Sequence, residues 1–154
     1  MLEHYVQSHE SCGATLKWTP TRLLDLGESG SPHNVKVLVS GDLGARKDAT
    51  LSYCWGGASV LSLFEANLVR LMKHVEPEEL APVHRDAILV THSLGIWYLW
   101  IDALCIVQDQ PEDWKREAAL MGQVYSHAQV RISVPDSQSA AESFQETGYL
   151  AART

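Results

Sequence analysis

Two short stretches of this 154-residue chain set chemically capable side chains at the ends of apolar runs. The first is Ser52-Tyr53-Cys54-Trp55-Gly56-Gly57. A strand that enters Gly-Gly leaves small polar groups and free backbone N–H groups at its end, where an anion or a ribose can be held. The alternative is a plain strand-to-loop turn with Trp55 as a core anchor, since a lone Gly-Gly is a weak motif. The second is Trp100-Ile101-Asp102-Ala103-Leu104-Cys105, followed by Gln108. Asp102 comes straight after a run that should be buried. A carboxylate there must be hydrogen-bonded or paired, or its pKa rises. It reads either as a ligand-facing acid at a sheet edge or as a cap on the following turn. Cys105 would be a nucleophile only beside a base. Neither His92 nor His127 is spaced to serve it, so it reads as a buried structural thiol. His9 and Cys12 have metal-like spacing without a second pair, so no zinc site is expected. Asp109 and Glu117 read as capping, solvent-exposed acids, and Arg85-Asp86 as a solvated pair.

These groups need a scaffold that brings strand ends together. Arg22–Gly27 and Val35–Val39 read as short strands, and 49–55 as a stronger one. Leu61, Phe64, Leu68, Leu71 and Val75 recur at helical spacing and predict a helix over 60–74. Pro77 stops it. Pro82 suits the first turn of a second helix, with Val83, Ala87, Val90 and Leu94 on one face and Gly95 as its cap. Ile96–Ile101 is an apolar run of the kind covered on both faces. Pro111, Glu112 and Asp113 open a third helix, whose buried stripe is predicted as Trp114, Ala118, Met121 and Tyr125, with Lys115, Arg116 and Gln123 facing water. Residues 129–134 return as a strand. Strands alternate with helices from 49 to 134, which predicts an α/β fold: a mainly parallel sheet flanked by helices. In open sheets of this kind ligands bind outside the carboxyl ends of the strands, which is where both stretches fall.

Composition narrows the functions. Apolar residues make up 45% of the chain and charged residues 20%, an ordinary globular balance. The net charge of −7 argues against a nucleic-acid partner. No apolar run reaches the roughly 18 residues of a membrane span. The N-terminus has no basic and apolar leader pattern. Three cysteines without close pairing fit a reducing compartment, so a cytoplasmic location is expected.

Several segments, in order, resemble the fungal heterokaryon incompatibility (HET) domain. Pro20–Gly27 is similar to its opening strand, and Leu51–Gly57 to its first signature block. Glu65–Leu68 resembles the start of its first helix. Arg85–Ile88 with Leu94–Asp109 is the strongest block, and Asp113–Tyr125 closes the set. The resemblance divides the chain into an N-terminal extension (1–19), a domain core (20–135) and a C-terminal surface segment (136–154), with 139–146 the stretch where a helix fits. It implies non-self recognition and programmed cell death, protein partners or self-association, and a distant likeness to TIR domains, with a flavodoxin-like three-layer core. By that analogy the ligand-binding candidates are Ser52, Tyr53, Trp55, Gly56, Asp102 and Gln108. Asp102 is also the candidate catalytic group, and NAD is the ligand or substrate to test. Trp55 would stack on a base or nicotinamide ring, and Asp102 would take ribose hydroxyls. The family usually continues with an Arg-Gly-Trp-Thr-Leu-Gln-Glu-like block, and this sequence has none. Ser133-Val134-Pro135-Asp136 stands where the family has a small Ala-Ala-Thr run. An incomplete core with an open sheet edge is therefore expected, which favours a non-catalytic interaction module over an NAD-cleaving enzyme. A cysteine hydrolase using Cys105 is the remotest reading.

Overall fold

A computed structural model describes residues 18–28, 34–42, 44, 46–53, 57, 59–134 and 151–153. Among these residues, six strands form one sheet: β1 (Arg22–Asp25), β2 (Lys36–Val39), β3 (Asp48–Ser52), β4 (Tyr98–Trp100), β5 (Val130–Ser133) and β6 (Ala151–Arg153). Four α-helices accompany them: α1 (Leu68–Lys73), α2 (Pro82–Ser93), α3 (Asp102–Cys105) and α4 (Pro111–His127). The strand order is β2-β1-β4-β3-β5-β6.

The sheet is mixed, not mainly parallel. β4-β3-β5 is a parallel centre, and β1, β2 and β6 all pair antiparallel. Connection length explains one edge. Only residues 26–35 separate β1 from β2, fewer than the dozen or more that a parallel crossover needs. At the other edge, Ala151–Arg153 adds β6 to β5 within the segment read as surface. Residues 136–150, with the suggested helix at 139–146, lie outside the described residues.

Side chains alternate across the parallel centre and build two unequal layers. Ala49, Leu51, Leu99, Ile101, Val130 and Ile132 face the larger core, which takes in Leu71 of α1 and Val83, Ala87 and Val90 of α2. Leu23 and Trp100 face the smaller one, with Val124, Met121 and Tyr125 of α4. The sheet thus lies between two helical layers.

Two helices depart from the sequence reading. Residues 61–64 are not helical; a 3-10 turn covers Glu65–Asn67, and α1 begins only at Leu68. Backbone partners from far along the chain are the reason. Leu63 N–H donates to Ala103 C=O at 2.7 Å, and Leu63 C=O accepts from Gln108 N–H at 2.8 Å. The second departure is the phase of α4. Trp114 is 50% exposed, whereas Asp113 and Glu117 are buried. α2 follows its expectation: Pro82 opens it, and Gly95, at φ +73°, closes it with its N–H on His92 C=O.

Candidate functional site

The winding of the chain marks one place on the sheet. From β3 the chain goes to its neighbour on one side, β4, and from β4 it crosses back to the other side, β5. Such a reversal opens a crevice at the carboxyl ends of the strands. Register sets the residues there. Thr50 is level with Trp100, the last residue of β4; Ser52 ends β3 level with Ser133 of β5, and Asp102 opens α3 two residues beyond Trp100.

Asp102 is half-buried and opens α3. Its Oδ1 accepts the Ala103 N–H at 2.7 Å, so it does close its own turn. The same carboxylate faces two phenols from opposite layers. Tyr53 comes from the large core. Burial first, then the charge of Asp102 and a hydrogen bond to it, push the Tyr53 hydroxyl pKa up. Tyr125 comes from α4. Burial, and then the charge of Asp102, raise its pKa too, against a lowering hydrogen bond with Ser52. Both phenols are therefore neutral near pH 7 and able to donate. Ser52, Tyr53, Asp102 and Tyr125 form one group at the crevice.

Gln108 stands beside this group and shapes it. Its Nε2 donates to Asp102 C=O at 3.1 Å and to Ile106 C=O at 2.9 Å, which ties the 102–108 turn together. Only its Oε1 is left to face a ligand. Trp55 and Gly56 lie outside the described residues.

Below the turn is a buried clamp that local sequence patterns do not reveal. Arg22 of β1 reaches Asp113 with both guanidinium nitrogens, at 3.0 and 2.6 Å, and donates a further bond to Cys105 C=O at 3.0 Å. Asp113 also accepts the Val107 N–H at 2.9 Å. Burial alone would raise the Asp113 pKa; the Arg22 guanidinium and the Val107 N–H hold it below the usual carboxylate range. Arg116 pairs with Asp113 from the solvent side and with Glu117 Oε1 at 3.3 Å. Glu117 is thus not the solvent-facing acid of the sequence reading: it is 1% exposed. Asp86 is likewise buried, not solvated, while Arg85 is exposed. Asp109 does cap, accepting the Glu65 N–H at 2.9 Å.

Cys105 is fully buried, and burial pushes its thiol up to about 12. It holds no thiolate at neutral pH, which removes the cysteine hydrolase. His92 bonds Leu26 C=O and His127 bonds Gln123 C=O. Among the described residues no group of three or more His, Cys, Asp or Glu could hold a metal ion. His9 and Cys12 lie outside those residues. No helix among them is long and apolar enough to cross a membrane.

Of the candidates named from sequence, Ser52, Tyr53 and Asp102 come together here, and Tyr125, which the sequence reading assigned to the core, joins them. The helical period does place Tyr125 on the inward side of α4, but period alone does not show which strand end its hydroxyl meets.

The arrangement defines an α/β protein with a carboxylate-centred polar site at the carboxyl edge of a mixed sheet. A family model described as "Heterokaryon incompatibility protein (HET)" matches residues 49–153, two thirds of the chain, and the chain belongs to that family. No curated protein and no solved structure gives a match. The matched stretch runs from β3 into β6, with β1 and β2 ahead of it.

Proposed function

We propose that this protein acts in fungal non-self recognition, as a heterokaryon incompatibility protein that commits the cell to programmed death. Its carboxyl-edge site binds a nucleotide of the NAD⁺ type. Family membership supports the biological half. One observation carries the chemical half: Asp102 sits at the reversal of the winding with a neutral phenol on either side. A carboxylate so placed accepts the hydroxyls of a ribose. Were the glycosidic bond to break, the same charge would stabilise the oxocarbenium-like sugar. The test is NAD⁺ binding and nicotinamide release by the purified protein, beside Asp102→Asn. Binding by the wild type and not by the variant supports the site. Equal behaviour of the two removes Asp102 from it.

A second reading is a non-catalytic module that works by self-association or by pairing with another protein of its family. Val69 and Met72, three residues apart on α1, are both exposed, at 68% and 38%. Sedimentation over a range of concentrations checks it. A species that stays monomeric at the highest concentration sinks this reading.

A further inference from the structure

Behind Tyr53 lies a residue that the site so far leaves idle. His84, on α2, is 0% exposed, and neither ring nitrogen has a hydrogen-bond partner. Its ring meets that of Tyr53 at 5.0 Å between centroids and 87° between planes. Burial drops its pKa to about 4, so it is a neutral imidazole, one nitrogen a donor and the other an acceptor. Two buried polar atoms without partners are a costly arrangement, and an apolar ring of similar size would avoid the cost. The surrounding large core supplies apolar side chains. The ring it meets is that of Tyr53, whose hydroxyl is under the charge of Asp102.

The geometry points to His84 as the inner hydrogen-bonding contact of the carboxyl-edge site, reached when the Tyr53 ring turns aside, and to a ligand that carries an uncharged amide at its inner end. This rests on the nucleotide-binding reading above and names what that site selects. An amide offers an acceptor and a donor, and it can satisfy both kinds of nitrogen that a neutral imidazole presents. A carboxylate offers acceptors only. It would leave one nitrogen without a partner and would carry a charge into the core.

Nicotinamide and nicotinate are an amide and acid pair of one shape, so they serve as probes, with NAD⁺ as the larger ligand. Binding would be measured by calorimetry at pH 7 for wild type, His84→Phe, His84→Leu and Asp102→Asn. The wild type should prefer nicotinamide to nicotinate by about tenfold or more, the scale of one buried polar group left unpaired. Both His84 variants should melt no lower than wild type and lose that preference. On nicotinamide binding, the His84 ring ¹⁵N resonances should move. If both His84 variants keep the wild-type preference while Asp102→Asn loses binding, the site stands and the inner contact falls. If both melt well below wild type with the preference intact, His84 is a packing residue and the inference is overturned. If the wild type binds neither NAD⁺ nor nicotinamide, the nucleotide reading fails and takes the inference with it.

Discussion

Asp102 does two jobs with two oxygens. Its Oδ1 closes the turn of α3, and its charge reaches phenols on both sides of the sheet. Asp102→Asn keeps an acceptor for the Ala103 N–H and removes the charge, so it separates the jobs. The variant should unfold within a few degrees of wild type while losing nucleotide binding. Both tyrosines should also titrate at lower pH, because the charge that opposes their ionisation is gone; ultraviolet absorbance in alkali would check this. A melting point lowered by ten degrees would instead make the acid chiefly a cap. Of the two roles the sequence offers for Asp102, the fold contains the cap, and the ligand-facing acid is what Asp102→Asn tests. Sequence could set them side by side because a lone acid after an apolar run must be satisfied somehow. It could not pair them, because the phenols arrive from positions 53 and 125, on separate layers.

At the scale of elements, the turn that carries Asp102 is held by a strand and a helix far apart in the chain. Arg22 and Asp113 are 91 residues apart and nearly dry, with side chains about a tenth exposed. Removing one partner leaves the other charged and buried, which costs about 3–5 kcal/mol. Arg22→Met and Asp113→Leu should each destabilise on that scale in urea unfolding. The double variant should recover a large part, since a buried pair exchanged for apolar groups costs little. Additive losses would show that the pair is not the unit that matters. This clamp also explains where sequence reading of α4 slipped. Apolar periodicity chose Trp114 and Met121, yet the inward positions near the helix start are the acids Asp113 and Glu117. Their partner comes from β1, and no local window contains both. The extended stretch at 61–64 slipped for the same reason: the groups that claim the Leu63 backbone are Ala103 and Gln108. Strands β1 to β5 and helix α2 were legible because their patterns are satisfied locally, by alternation, by Pro82 and by Gly95.

For the molecule as a whole, two buried groups set opposing responses to pH. Asp48, at the start of β3, is pushed up to about 7 from 3.8 by burial. The folded chain then holds a proton that the unfolded chain releases. The contribution of Asp48 is full below 3.8 and is gone once the pH has risen past about 7. His84 runs the other way: its pKa falls from 6.5 to about 4, so its contribution is present above 6.5 and is lost as the pH falls through 4. Between about pH 4 and 6.5 the two offset each other; above that window Asp48 acts alone. The melting temperature should be nearly level across the offset range, should fall between about pH 6.5 and 7, and should level off above that. Asp48→Asn should abolish that fall and expose the rising limb of His84. A wild-type curve still climbing through pH 7 would contradict the Asp48 assignment. Arg22 stands ahead of the matched stretch 49–153, yet it grips Cys105 and Asp113 around the turn that carries Asp102. A transcript that starts downstream of β1 would still encode every residue of the recognisable family segment, and its product would carry an orphaned acid beneath a slack turn. The first strand is in effect a built-in key: whether it is present in a given gene product decides whether the turn that carries Asp102 is held fast.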